Sequence, residues 1–473
     1  MIRLSKVGVI SPKASKDITK SRIGLGFEKL DRDVFDPEKA YPYVAQTGVK
    51  WARLQSGWQR TEKEKGVYDF AWLDSVVDNL LAIGVEPWLC LCYGNALYSP
   101  QAAEHFGAVG CPPIFTEEEK EAWRNYVRAT VKHFKGRINR YEVWNEPDGL
   151  WCWKHGPNGT ELGLFTIDTA KACKEADPDC RVIGFATCRT NRFHLLEELC
   201  QTGVCDYLDS ISYHSYKIHD QQFEDVYNFY DDIRKKYNPK MTVIQGESGT
   251  QSRHDGAGAL KGACWTPLKQ AKFLLRHLMV DLACGAEFTS YFSCMDMIEA
   301  LNGKVGDVNS YLDYGYFGVL GADFDENGRS TGEYSPKLSF KALQNLCSVF
   351  CEDYEQKSFP CEVVKGKSGF VWGEDIAPSS LRISGWKKPN GARALCYWNT
   401  DSNVLTQTYE GTTTIRIMAH DAKDIKLVDL LAGDIYEIPE SMWVRDKQFV
   451  ELTNIPVRDY PLLLTTGDFV QGE

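Results

Sequence analysis

The sequence predicts a (β/α)8 barrel of the TIM type with a C-terminal all-β sandwich domain, and three observations lead there. From about residue 22 to residue 345, short apolar runs alternate with amphipathic segments, the pattern of repeated βα units on a parallel sheet. Eight runs can be counted, the number that closes such a barrel. After Tyr354 the pattern switches to short alternating strands separated by turn residues. With 473 residues the chain is too long for one compact domain. The expected division is 21–353 for the barrel and 354–473 for the sandwich, with 1–20 as an N-terminal segment free to add a strand to the sandwich.

The eight barrel strands are read at residues 23–28, 51–55, 87–93, 140–144, 181–185, 211–213, 242–245 and 288–292. Between them, residues 72–81 repeat apolar side chains at helical spacing and stop before Gly84, a residue suited to a helix end. Thr116 and Glu119 form a capping box for the helix through Trp123, Tyr126, Val127 and Val131. Residues 335–346 read as the closing helix, with Pro336 in its first turn. Further on, strands are expected at Val371-Trp372, 392–398, 413–417 and 460–464, and a hairpin over 425–438 turning at Ala432-Gly433-Asp434.

Composition narrows the function. Net charge is −11 and no Lys/Arg block occurs, so neither nucleic acid nor an anionic membrane has an electrostatic footprint to bind. No window approaches the roughly 20 apolar residues of a membrane span. The N-terminus lacks a secretory signal, so a complete chain would be cytoplasmic; a mature form lacking its signal would read identically. The 16 cysteines lie inside apolar segments, as in a reducing compartment. No C-x-x-C and no zinc-like Cys/His spacing occurs, so no metal is expected; no cofactor is expected either, because the chemistry read below needs only two carboxylates. Association into a homo-oligomer is left open.

Two carboxylates stand out by position. Glu146 follows the fourth strand in Val143-Trp144-Asn145-Glu146-Pro147, and Glu247 follows the seventh in Ile244-Gln245-Gly246-Glu247-Ser248. Both therefore sit at the C-terminal end of the barrel, where active sites are built. Acetal cleavage needs such a pair, an acid to protonate the leaving oxygen and an anion to attack the sugar carbon. Either Glu alone reads as a salt-bridged loop residue. The matched pair, with Asn145 adjacent, favours chemistry.

These residues resemble clan A of the glycoside hydrolases, and within it family 39 and its relatives. The likeness rests on Trp144-Asn145-Glu146-Pro147, on Glu247 after strand seven, and on His214-Ser215-Tyr216 after strand six. Tyr314 to Leu320 and Pro336-Lys337 agree, so the likeness covers residues 22–350. The resemblance implies a retaining glycosidase that acts on a small saccharide by double displacement, with Glu146 as acid/base and Glu247 as nucleophile. Its expected substrate is a short oligosaccharide with a terminal β-linked sugar. It implies a raised pKa for Glu146, from an apolar wall and the nearby Glu247, and an ionised Glu247. Arg53 is a candidate cation for Glu247, with a bridge to Glu142 or Glu28 as the plainer alternative. Tyr216 is a candidate donor to Glu247, Asn145 to the sugar's 2-hydroxyl, and His214 is placed to orient Glu247 or touch the sugar.

Sugar faces pack on aromatic rings, which makes Trp151, Trp153 and Trp265 in the strand-end loops candidates for a subsite, against a role in pinning those loops. Asn95 is a candidate polar contact, against a turn residue. Of Tyr291 and Phe292, read mainly as core, one is expected at the sugar, with Tyr291 the candidate. Clan members carry Trp near this point, where this chain reads Tyr291-Phe292-Ser293-Cys294. Alternative readings are a non-catalytic carbohydrate-binding barrel, which would be expected to lose one Glu, and a transglycosylase using both. A metal-dependent lyase would want a Lys base at a strand end, and none is found.

Overall fold

The computed structural model describes residues 4–473 apart from 190, 369–374, 377–379 and 401–403. The chain begins with β1 (Ser5–Val9), which pairs antiparallel with Asp434–Glu437 of the C-terminal part. The barrel follows, closed by eight parallel strands. They are β2 (Ile23–Gly26), β3 (Trp51–Gln55), β4 (Glu86–Leu91), β5 (Arg140–Val143), β6 (Arg181–Thr187), β7 (Ser210–His214), β8 (Thr242–Ser248) and β9 (Thr289–Tyr291). All eight overlap the runs read from the sequence. Nearly every strand residue is buried, because helices cover the outside while side chains fill the inside.

The interior is built in layers, each from alternate strands. Trp88, Ile183 and Ile244, from β4, β6 and β8, pack with Phe288 into an apolar layer. A polar layer comes from the odd strands: Arg53 on β3, Glu142 on β5 and Ser212 on β7 are joined by hydrogen bonds. The Arg53 guanidinium lies 6.0 Å from the Trp88 ring, so the two layers are in contact.

Helix signals were largely local. Ala71–Ala82 ends with Gly84 at φ +83°, a left-handed position that glycine accepts without strain. The capping box at Thr116 and Glu119 is present and opens Glu117–Phe134. The closing helix differs from expectation. It spans Leu338–Val349, and Pro336 instead ends a strand, Ser330–Pro336, paired with Leu320–Phe324. A proline without an N–H is tolerated there because the strand is an edge.

Beyond the barrel, two antiparallel sheets of seven and five strands form a C-terminal β domain, and β1 is the edge of the larger one. The hairpin over Lys426–Asp429 and Asp434–Glu437 lies in that sheet. The expected strand at Val371-Trp372 lies outside the described residues. The domain is tied to the barrel by buried polar contacts. Lys272 pairs with Asp459 at 2.9 Å, both side chains fully buried. The Trp398 indole donates to Asp220, which also accepts from Arg276. No helix among the described residues is long and apolar enough to cross a membrane.

Candidate active site

A cavity of about 700 Å³ opens among the loops at the C-terminal ends of the strands, and Glu146 and Glu247 both line it. Glu146 reaches it through unusual backbone. Trp144 and Glu146 have φ of +65° and +45°, conformations costly for residues with a Cβ and kept only where the surroundings enforce them. The surroundings do. The Trp144 indole donates to the Cys152 carbonyl at 2.7 Å, its ring packs against Trp123 and Trp153, and the Glu146 N–H donates to Ala186 at 2.9 Å.

Glu247 is fixed from the other side. Register places it opposite His214 on β7, and Ser215 N–H donates to its carbonyl. The next residue, Ser248, is held by His277 at 2.9 Å. Gly249 follows because a Cβ there would lie 1.8 Å from the Phe292 carbonyl oxygen.

The two carboxyls converge. One oxygen of each, together with a ring nitrogen of His214, lie within 4.8 Å of one another. Arg53 Nη1 stands 2.8 Å from Glu247 Oε2, and Tyr216 donates to Glu247 Oε1 at 2.6 Å. Both contacts stabilise a carboxylate anion. Glu146 accepts from the Trp151 indole at 2.5 Å and pairs with His214 Nδ1 at 2.9 Å. Three ligand-type side chains this close invite a divalent ion, but the Arg53 guanidinium already holds Glu247 and would repel one.

The charge state of this pair corrects an expectation. Burial pushes the Glu146 carboxyl up, but the His214 bond and charge, the Trp151 bond and Arg53 together bring it below its ordinary value. Burial works against a charged His214, yet Glu247 and the bond to Glu146 outweigh it and raise the imidazole. Both shifts run in the direction that favours an anionic Glu146 beside a protonated His214. The pairing of His214 with Glu146 was not foreseen; His214 is farther from Glu247, at 3.7 Å.

The remaining candidates divide. Arg53 satisfies both readings at once, bonding Glu142 Oε2 at 2.7 Å and Asn145 Oδ1 at 2.9 Å as well as Glu247. Asn145 and Trp151 line the cavity. Trp153 does not: it is buried under Trp144 and Phe165, and its indole donates to Glu161. Trp265 pins its own loop by donating to Leu260 and packing on Phe273, away from the cavity. Asn95 is a turn residue with both amide ends engaged, by Glu62 and Leu97. Tyr291 faces the core, its hydroxyl near Thr250, and Phe292 is the ring on the cavity.

Several lining residues escaped the sequence reading: Glu28, Lys29, Gln55, Tyr93 and Glu299. Glu28, Lys29, Gln55 and Tyr93 lie at or just past the ends of strands β2, β3 and β4, so the rule that found Glu146 and Glu247 would have reached them; Lys29 is a lysine at a strand end, where none was expected, and it is engaged by the Ile298 carbonyl and Glu299. Glu299 comes from the long segment after β9 and is held by Lys29 at 3.1 Å. Nothing local marks it.

A closed (β/α)8 barrel with two glutamates meeting at its C-terminal mouth is the architecture of the clan A glycoside hydrolases. Comparison with known proteins agrees. Residues 37–245 match the family model of Glycosyl hydrolases family 39, a span that includes Glu146 and ends two residues before Glu247. A β-xylosidase of Geobacillus stearothermophilus is 29% identical over 178 residues, 34% of this chain and 34% of that protein. The match thus spans about a third of the length of that curated relative. A family 39 glycoside hydrolase from Bacteroides cellulosilyticus WH2 superposes with a TM-score of 0.65 at 17% identity, covering 94% of this chain and 81% of that one. A monomeric β-xylosidase from Caulobacter crescentus CB15 gives 0.56 at 16% identity, with 97% of each chain covered. At such identities the superpositions establish the fold. The chain resembles the clan A glycoside hydrolases, family 39 in particular.

Proposed function

We propose that the protein is a retaining glycosidase that removes a terminal, β-linked sugar from short oligosaccharides. The observation that carries this reading is the approach of Glu146 and Glu247 to within 4.8 Å. That suits direct attack, for which carboxyls stand about 5–5.5 Å apart, rather than the roughly 6.5–9.5 Å that admits a water between them. Glu247, bonded by Arg53 and Tyr216, attacks the anomeric carbon. Glu146 gives its proton to the departing glycosidic oxygen, leaving a glycosyl ester on Glu247. In the second half, Glu146 takes a proton from water, which attacks the same carbon and frees the sugar.

Glu146 must receive a proton before the first step, and His214 is the source. Substrate entering the cavity expels water, and a carboxylate–imidazolium pair in a drier site relaxes towards the neutral pair. The proton then crosses the 2.9 Å contact from Nδ1 to Oε1. Lining rings Trp151 and Phe292 supply apolar faces for the sugar. Since the curated relative is named a β-xylosidase, an aryl β-xyloside heads the panel, followed by glucoside, galactoside and arabinofuranoside.

The test is turnover of that panel by wild type and by Glu247→Ala with azide. Loss of the nucleophile costs roughly 10⁴-fold or more; azide should restore turnover by attacking the anomeric carbon, releasing the aryl group as a phenol and the sugar as a glycosyl azide of inverted configuration. No turnover of any glycoside by wild type would leave the sugar-binding barrel as the better reading, and an inverted hydrolysis product would end the double displacement.

A further inference from the structure

Glu28 is a further carboxyl in the same cavity, one that the proposed mechanism does not use. It lies two residues past β2, lines the cavity and is 1% exposed. Among the described residues, neither of its oxygens has a hydrogen-bond partner. Its carboxyl lies back over the strand end, so close that a Cβ on Gly26 would be 2.3 Å from Oε2. The nearest cation is Arg53, 3.6 Å away through the same Nη1 that holds Glu247 at 2.8 Å. Buried carboxyls are almost always hydrogen-bonded, so one without such a bond in a residue that lines a cavity calls for an explanation, and a group entering that cavity would supply it.

The charge balance says in which form it waits. Arg53 already serves Glu142 and Glu247. A third anion on one buried guanidinium is an uncompensated charge, which the interior does not tolerate. The groups that bear on Glu28 are Arg53 on β3, Glu247 on β8, His214 on β7 and the Cys294 thiol after β9. Burial raises its carboxyl, Arg53 draws it down and Glu247 raises it again, leaving it pushed up to about 8. A neutral carboxyl carries a donor and an acceptor together, which is what a sugar hydroxyl pairs with.

Building on the glycosidase reading, we infer that Glu28 is a specificity-determining residue: as a neutral acid beside Glu247 it donates a hydrogen bond to a hydroxyl of the bound glycone. Above the pH at which it ionises, the donor is lost and a further negative charge stands beside the nucleophile, so glycone binding weakens.

Glutamine imitates the neutral acid and cannot ionise, so the decisive comparison is Glu28→Gln and Glu28→Ala against wild type, on the aryl glycoside wild type cleaves best. Near pH 6, kcat/KM should fall about 10- to 100-fold for Ala and no more than about threefold for Gln. The ratio of Gln variant to wild type should then rise as pH passes through about 8, a readout that isolates Glu28 from every other titrating group. The Ala penalty should also shrink on the one deoxy-glycoside that lacks the partner hydroxyl. A ratio flat with pH, or Gln as damaging as Ala in a folded protein, overturns the role of Glu28 while leaving the glycosidase reading intact. Absence of wild-type turnover overturns both. Should the Ala variant fail to fold, the Gln ratio and the deoxy-glycoside series on wild type still decide.

Discussion

The two ends of this barrel treat a glutamate in opposite ways, one half-buried and the other buried. At the N-terminal end, Glu287 precedes β9 and is fully provided for. Arg140 reaches it at 2.8 Å and Arg181 at 3.5 Å, and Ser210 and Thr242 donate to it from the starts of β7 and β8. Burial raises its carboxyl, but the Thr242 and Arg140 bonds and the two guanidinium charges bring it below the ordinary value. At the C-terminal end, neither side-chain oxygen of Glu28 has a hydrogen-bond partner among the described residues, and its carboxyl is pushed up to about 8. The first arrangement closes the barrel; the second leaves an unmet demand facing a cavity. Conservative folding physics would remove such a group, so its presence points to a ligand.

The sharpest way to break that contrast is to remove the cation shared by the functional end. Arg53→Met leaves Glu142 and Glu247 buried without their partner. It should lower stability by about 3–5 kcal/mol in denaturant melts as well as abolish turnover. If the variant unfolds at the same denaturant concentration as wild type, Arg53 is not the hub of the polar layer.

Next comes Tyr216→Phe, which deletes one donor to Glu247 and nothing else. It should cut kcat/KM roughly 10- to 100-fold with little change in melting, since a hydrogen bond to a charged group contributes about 1.5–3 kcal/mol. Glu287→Gln is the mirror image. It should cost about 1–3 kcal/mol in unfolding free energy while kcat stays near that of wild type. A large kcat effect there would mean the two ends are coupled.

A smaller effect has opposite sign at the two ends, and pH reveals it. Glu287 sits below its unfolded value, so its contribution is present above that value and lost as pH falls. Glu28 sits above, from 4.5 to about 8, so wild type loses stability relative to Glu28→Gln as pH rises through that interval. Melting temperatures of the two Gln variants against wild type should diverge from it in opposite directions, below the ordinary carboxylate value of 4.5 for Glu287 and between 4.5 and about 8 for Glu28. Parallel curves would erase the distinction drawn here. His214→Gln sharpens the acid step: without the proton source, substrates with poor leaving groups should suffer more than aryl glycosides, whose departure needs less protonation.

Much of this was readable beforehand, for a reason that particular residues make plain. Strand runs, the Thr116 box and the Gly84 stop are local patterns, because neighbours in sequence are neighbours in the element. Glu146 and Glu247 were legible because a strand's C-terminal end is a position along the chain, and the barrel turns that position into a place. Trp153, Trp265 and Asn95 were misplaced by the same reasoning, since being in a strand-end loop does not say which way a side chain turns. Trp153 turned inward onto Trp144, and Phe292 rather than Tyr291 turned to the cavity.

What the sequence determined alone, then, is the count and order of the strands and the end of the barrel at which the two glutamates lie. Only the folded structure decided that Arg53 joins Glu142, Glu247 and Asn145, that His214 pairs with Glu146, and that the Glu28 carboxyl lacks a hydrogen bond among the described residues. Those facts depend on distances between strands far apart in sequence, and on burial, which sets the strength of each charge. Neither is written in any local stretch of residues.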